Sequence, residues 1–138
     1  MSTTNELHVV LGGNGGIGHA VVRELVAQGK RVRAVNRSGR ISELPASVEV
    51  VAADLLDLGE ARRASQGANV IYHCAGLPYD RWAKDFPPMM ENVIEATHEA
   101  GAKLVFADNC YMYAPTALPI TENLPYAPTT SKGRVRKH

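Results

Sequence analysis

Apolar positions along the 138-residue chain cluster into five short runs separated by helical or turn-forming stretches. The runs are Leu7–Leu11, Arg31–Asn36, Val48–Ala52, Val70–His73 and Lys103–Ala107. Short apolar runs of this kind fit strands buried on both faces of a parallel sheet. The first inter-run segment has helical spacing from Ile17 to about Gln28. It turns Ile17, Ala20, Val21, Leu25 and Val22 toward the sheet and Arg23, Glu24 and Gln28 outward, and Gly29 stops it. A shorter helix is expected over Leu58–Gln66, ended by Gly67. A third is expected to start at Pro87 or Pro88, with Met90, Val93, Ile94 and Thr97 on its apolar face and Gly101 at its end. Residues 77–86, with Tyr79, Trp82 and Phe86, read as irregular and aromatic, able to line a substrate pocket or to cover the sheet edge, and 115–128 as a proline-rich loop. Thr129, Thr130 and Ser131 can cap a last helix beginning near Lys132. Strands alternating with helices, joined by right-handed crossovers, predict an α/β fold: a doubly wound parallel sheet of five strands.

Length is sufficient for one domain with a real core, spanning residues 1–138. The net charge of +1 gives no global field that would favour nucleic acid. The basic tail from Lys132 to His138 reads as a solvated helix start. No apolar run approaches the roughly 20 residues of a membrane span. The segment Met1–Glu6 is too short and polar for a signal peptide. Cys74 and Cys110 supply neither a disulfide framework nor metal-ligand spacing. These features point to a cytoplasmic chain with no nucleic-acid, membrane or metal partner.

The first run ends in Gly12-Gly13-Asn14-Gly15-Gly16-Ile17-Gly18 and passes directly into the first helix. Strand, glycine turn and helix together make a dinucleotide-binding hypothesis. Early glycines allow the tight turn, a middle one lets backbone approach a pyrophosphate, and Gly18 lets helix and strand pack closely. The helix N-terminus offers N–H groups to phosphate. A phosphate loop of the Lys-Ser/Thr type is excluded, because no such pair follows Gly18. The second run ends in Asn36-Arg37-Ser38, where a carboxylate would favour NAD. Arg37 can grip a 2′-phosphate that Asn36 does not repel, so NADP is preferred over NAD. Asp54, after the third run, can accept from an adenine amino group, or Asp54 or Asp57 can cap the next helix. The small residues Cys74-Ala75-Gly76 can pass beneath a cofactor. His73 and Cys74 read as structural.

Four segments carry a resemblance to the short-chain dehydrogenase/reductase superfamily, in its extended or atypical NAD(P)-dependent epimerase/dehydratase branch. They are the glycine turn at 12–18, Ala53-Asp54-Leu55, His73-Cys74-Ala75-Gly76, and Asp108-Asn109-Cys110-Tyr111-Met112-Tyr113-Ala114. The last is similar to the Ser-Ser-x-x-Val-Tyr-Gly segment that ends the family's fifth strand. The resemblance implies a Rossmann fold in which Gly12, Gly15, Ile17, Arg37, Asp54, Leu55, Ala75 and Gly76 touch the cofactor. It also implies an oxidoreductase or epimerase acting on a hydroxyl/carbonyl pair of a small molecule.

The catalytic segment departs from the family, which uses Ser/Thr with Tyr-x-x-x-Lys. Asn109 stands at the Ser/Thr position, and Pro128 stands four residues before Lys132. Lys132 with Tyr126, and Asn109 on the substrate oxygen, are the expected catalytic set; Tyr111 or Tyr113 can substitute for Tyr126. Lys132 is also expected to hold the nicotinamide ribose. Relative to the family the chain looks C-terminally truncated, with the cofactor half and little of the substrate half. An apolar stripe on one sheet face and self-association into a homo-oligomer are then expected. The competing reading is a non-catalytic NADP(H)-binding sensor or interaction module. A third is a Rossmann domain with no ligand.

Overall fold

A computed structural model describes residues 5–138. The reading of the polar N-terminus falls partly on residues 1–4, outside the described residues. The chain forms two compact units. One runs to Gly76 and resumes over Met89–Ala107; the other takes Leu77–Pro88 and Asp108–His138.

The first unit holds the sheet. Strands β1 (Leu7–Leu11), β2 (Arg31–Asn36), β3 (Glu49–Ala52), β4 (Val70–His73) and β5 (Lys103–Phe106) are all parallel, in the order β3-β2-β1-β4-β5. Every residue of β1 is buried, as its central place requires. Helix α1 (Gly16–Ala27) returns the chain from β1 to β2, and α2 (Leu58–Ser65) from β3 to β4. Helix α3 (Trp82–Glu99) precedes β5. Right-handed crossovers put α1 on one face of the sheet and α2 and α3 on the other. Arg62 of α2 and Glu99 of α3 join those two helices side by side, Nε to Oε2 at 2.7 Å. Among the described residues no helix is long and apolar enough to cross a membrane.

Two helical faces differ from expectation. α1 buries Gly18, Val22 and Leu25, while Ile17 is 61% exposed and Ala20 is also exposed. The contact of Gly18 with the glycine turn sets the helix phase and swings Ile17 outward. The buried core on this face joins Val22 and Leu25 to Val10, Val32, Ala34 and Val48. α3 begins at Trp82 and runs through both prolines. The hydrogen bonds that Pro87 and Pro88 cannot donate would reach the carbonyls of Ala83 and Lys84. Both residues are exposed, so water can satisfy them. Within 89–99 the buried positions are Met89, Val93, Ala96 and Thr97, with Ile94 exposed. The Thr97 hydroxyl donates to the Val93 carbonyl at 2.6 Å, which lets a polar residue stay inside.

The expected apolar stripe has a counterpart. Tyr72 of β4 and Val105 of β5 are register partners on the face that α1 covers elsewhere, and Val105 is exposed. An open groove along α1, lined by Ile17, Ala20, Val21 and Tyr72, lies on the same side.

The second unit is built on aromatic residues. The indole N–H of Trp82 donates to the Leu77 carbonyl at 2.8 Å, folding a short 3-10 turn at Tyr79–Arg81 onto the helix start. Helix α4 (Ser131–Lys137) is capped by Thr130, whose side-chain oxygen accepts from the Gly133 N–H at 3.0 Å. The segment between Ala114 and Pro125 has no helix or strand. Tyr113 and Tyr126 form an isolated antiparallel bridge.

Candidate functional site

The glycine turn lies at the carboxyl end of the parallel strands, where open α/β sheets bind ligands. Gly12 takes φ +82° and, with Gly13, donates its N–H to the Val35 carbonyl, at 2.9 and 3.1 Å. The turn is thereby tied across to β2. A Cβ on Gly12 would stand 2.6 Å from the backbone of Ala75, and one on Gly18 would run into the carbonyl of Gly12. These two glycines are demanded by packing. Gly15 and Gly16 are different. A Cβ on Gly15 would meet nothing nearer than 3.6 Å, and one on Gly16 nothing within 4 Å. The fold itself leaves room at both positions, so bare backbone there suits the close approach of another molecule.

α1 adds the electrostatics. It starts after Gly15 with no side-chain cap and no acidic residue in its first turn. Its leading N–H groups and positive dipole end are therefore available to an anion. Asn14, Gly15, Gly16 and Ile17 line the exposed side of this turn.

At the end of β2, Asn36 organises the following turn. Its carbonyl oxygen accepts from the Gly39 N–H at 2.8 Å, and its amide donates to the Arg40 carbonyl at 2.9 Å. Ser38 Oγ accepts from the Arg40 N–H at 3.2 Å. Arg37, at the tip, is exposed. Sequence reasoning treated Asn36 only as a group that does not repel phosphate. Its role in shaping the turn was signalled by Asn three residues before a glycine, a common turn chemistry.

After β3, Asp57 takes the helix-capping role, accepting from the Glu60 N–H at 2.9 Å. Asp54 Oδ1 accepts from the Leu56 N–H at 3.0 Å, and the Asp54 N–H is held by Glu60 at 2.6 Å. After β4, Cys74 donates its N–H to the Leu11 carbonyl at 2.9 Å, carrying Ala75 and Gly76 past Gly12. Burial pushes the Cys74 thiol up, away from reactivity. His73 is fully buried and stacks on Phe106, with ring centroids 5.2 Å apart.

The expected catalytic residues all lie in the second unit. Asn109 Oδ1 accepts from the Tyr111 N–H at 3.0 Å, which leaves its amide N–H₂ to donate elsewhere. Tyr126 packs edge-on against Tyr113, centroids 5.4 Å apart. The Lys132 ammonium lies over the ring of Tyr79, 3.4 Å from its centroid. A hydrogen bond to Tyr79 pushes the Tyr111 phenol up, aided by the charge that Tyr79 would carry when ionised and by burial; Arg136 opposes the shift. Sequence reasoning placed Tyr79 in an irregular aromatic segment that could line a substrate pocket or cover the sheet edge, with no pairing to Lys132. No spacing rule relates residue 79 to residue 132.

The profile of the NAD dependent epimerase/dehydratase family matches residues 8–133. An uncharacterized oxidoreductase of Saccharomyces cerevisiae is 35% identical over 63 residues, covering 46% of this chain and 20% of that protein. The Bordetella bronchiseptica enzyme WbmG, solved in complex with NAD, superposes with a TM-score of 0.82 at 26% identity, over 99% of this chain and 48% of that one. A UDP-galactose 4-epimerase superposes with a TM-score of 0.78 at 27% identity, over 95% and 48%. Uronate dehydrogenase from Agrobacterium tumefaciens, at 23% identity, shares the fold with a TM-score of 0.80, over 96% and 52%. The chain thus spans about half the length of these solved structures, and its matched segment covers a fifth of the yeast protein.

Proposed function

The chain belongs to the NAD dependent epimerase/dehydratase family, and on that premise we propose that it binds NADP(H) in preference to NAD(H) and serves oxidoreductase chemistry on a hydroxyl/carbonyl small molecule. One observation carries the binding. Gly12 and Gly18 are required by packing, whereas Gly15 and Gly16 face open space above an uncapped helix start. The pyrophosphate belongs there, on the N–H groups of α1. Asp54 and Leu55 take the adenine, and Arg37 with Ser38 takes the ribose 2′-phosphate on the turn that Asn36 braces. Ala75 and Gly76 pass beside the cofactor.

The nicotinamide supplies hydride chemistry when bound; this chain supplies binding, orientation and proton handling. Lys132 is assigned to the nicotinamide ribose and Asn109 to the substrate oxygen, through its free amide donors. A second reading, a non-catalytic NADP(H)-binding module, is favoured by Pro128, which replaces the tyrosine of the family's Tyr-x-x-x-Lys.

Calorimetric titration of the chain with NADPH and NADH tests the binding. Saturable binding with NADPH the tighter is expected. Binding of neither would overturn the proposal, and tighter NADH would overturn the cofactor preference.

A further inference from the structure

We propose that His19 is a positioning residue for the adenosine 2′-phosphate, tying the arginine-bearing loop at 37–43 to α1 so that NADPH meets an anion seat already formed; this rests on the NADPH reading above. All the residues concerned lie in the first unit. Asn36 holds the start of the loop through the Gly39 N–H and the Arg40 carbonyl, at 2.8 and 2.9 Å. Ile41 lies against the glycine turn, where a Cβ on Gly13 would stand 3.2 Å from its Cδ1. Ile41 and Leu44 both pack on the core that contains Val22 and Leu25 of α1. Between them, the Ser42 carbonyl accepts from His19 Nε2 at 3.4 Å. His19 stands one turn into α1, and its backbone N–H donates to the Gly15 carbonyl at 2.8 Å. One residue thus touches both the glycine turn and the loop that carries Arg37.

The loop is held in a conformation it would not choose unaided. Glu43 takes φ +60°, the left-handed region that residues with a Cβ rarely adopt. Such a conformation persists only where the surroundings over-determine it. Here Ser42 is tethered immediately before Glu43, and Leu44 is packed immediately after it. Arg37 and Arg40 are exposed on this loop. Closing cationic side chains on an anion costs conformational freedom, and a backbone already fixed avoids its share of that loss. Release of the tether therefore falls on NADPH, whose 2′-phosphate uses the loop. NADH, without that group, is spared.

The test measures NADPH and NADH affinities by calorimetry, and amide hydrogen exchange of residues 37–43 in the cofactor-free chain. Gln places an N–H donor where Nε2 stands, Asn places one where Nδ1 stands, and Phe supplies none. His19→Phe and His19→Asn should weaken NADPH binding roughly three- to tenfold, the scale of one hydrogen bond, and leave NADH within about twofold. Both should speed exchange across the loop, and His19→Gln should match wild type throughout. With Arg37→Ala as background, His19→Phe should weaken NADPH no further, since the two residues act through one loop. A loss that persists in that background means that His19 meets the cofactor itself, and overturns the positioning role. Equal losses for NADPH and NADH overturn it as well. A Gln variant that behaves as Phe overturns the hydrogen bond as the cause. Exchange unchanged by Phe, with NADPH preference intact in wild type, overturns the tether alone. Wild type that binds no NADPH, or binds NADH more tightly, overturns the cofactor reading and this proposal with it.

Discussion

Gly18 of α1 rests on the carbonyl of Gly12, so closely that a side chain at residue 18 has nowhere to go. The displaced atoms are backbone, which cannot step aside as a flexible side chain would. Gly18→Ala should therefore destabilise the fold by about 1–3 kcal/mol and disturb the turn that receives phosphate. Gly16→Ala points into open space at the first position of the helix. It should leave stability within about 1 kcal/mol of wild type yet weaken NADPH binding. Thermal unfolding and calorimetry on both variants separate a glycine needed for packing from one needed for a ligand. If Gly16→Ala binds NADPH as tightly as wild type, the pyrophosphate does not lie over that residue.

Arg37 projects from a turn whose shape is set by other residues, since Asn36 bonds Gly39 and Arg40. Removing its side chain should leave the turn in place. Arg37→Ala is expected to weaken NADPH binding roughly 10- to 100-fold, the scale of one or two charge-assisted hydrogen bonds. NADH, lacking the 2′-phosphate, should be nearly unaffected. Equal losses for both cofactors would show that Arg37 meets no 2′-phosphate. Asn36→Ala should lower NADPH affinity through the turn, with a smaller effect than Arg37→Ala.

Much of the first unit was legible because local signals and the global fold agree there. Gly29, Gly67 and Gly101 end segments whose apolar period changes at those points, and each takes positive φ. The glycine turn announced itself by lying between a strand and a helix. The misread faces have a common cause. Ile17 is apolar, yet the position of Gly18 on Gly12 turns it outward. Pro87 and Pro88 resemble a helix start, but Trp82 and Phe86 before them find aromatic partners that justify an earlier turn of helix. The pairing of Lys132 with Tyr79 spans 53 residues and depends on how a loop and a helix start meet. Periodicity carries no information about such contacts.

Arg136 shows how the second unit holds its last helix. Its guanidinium lies over Trp82 and Phe86, 4.6 and 4.3 Å from the ring centroids, and pairs with Asp108 at 3.4 Å. Burial pushes its pKa down, with Asp108 opposing that shift. Cation–π contacts of a desolvated arginine are worth about 2 kcal/mol or more. Arg136→Ala should therefore release α4 and speed proteolysis across Asp108–His138. Arg136→Met, which keeps an unbranched apolar stem against the rings, should be cleaved at an intermediate rate. Cleavage of both variants at the wild-type rate would mean that α4 is held by other contacts.

His8 gives the fold a pH limit. It sits on the central strand, is nearly inaccessible, and shares a hydrogen bond between Nδ1 and the Tyr72 hydroxyl at 3.2 Å. Burial pushes its pKa below 6.5, Lys30 adds to the shift, and Glu6, 4.0 Å from Nε2, opposes it. The unfolded chain thus takes up the proton at a higher pH than the folded one. By linkage, the stability that neutral His8 contributes is complete above about pH 6.5. It declines as pH falls toward the lower folded value and levels off below it. Urea unfolding across pH 5–8 should show this loss, and His8→Gln should flatten the profile over the same interval. A variant profile as steep as wild type would assign the acid sensitivity to another group.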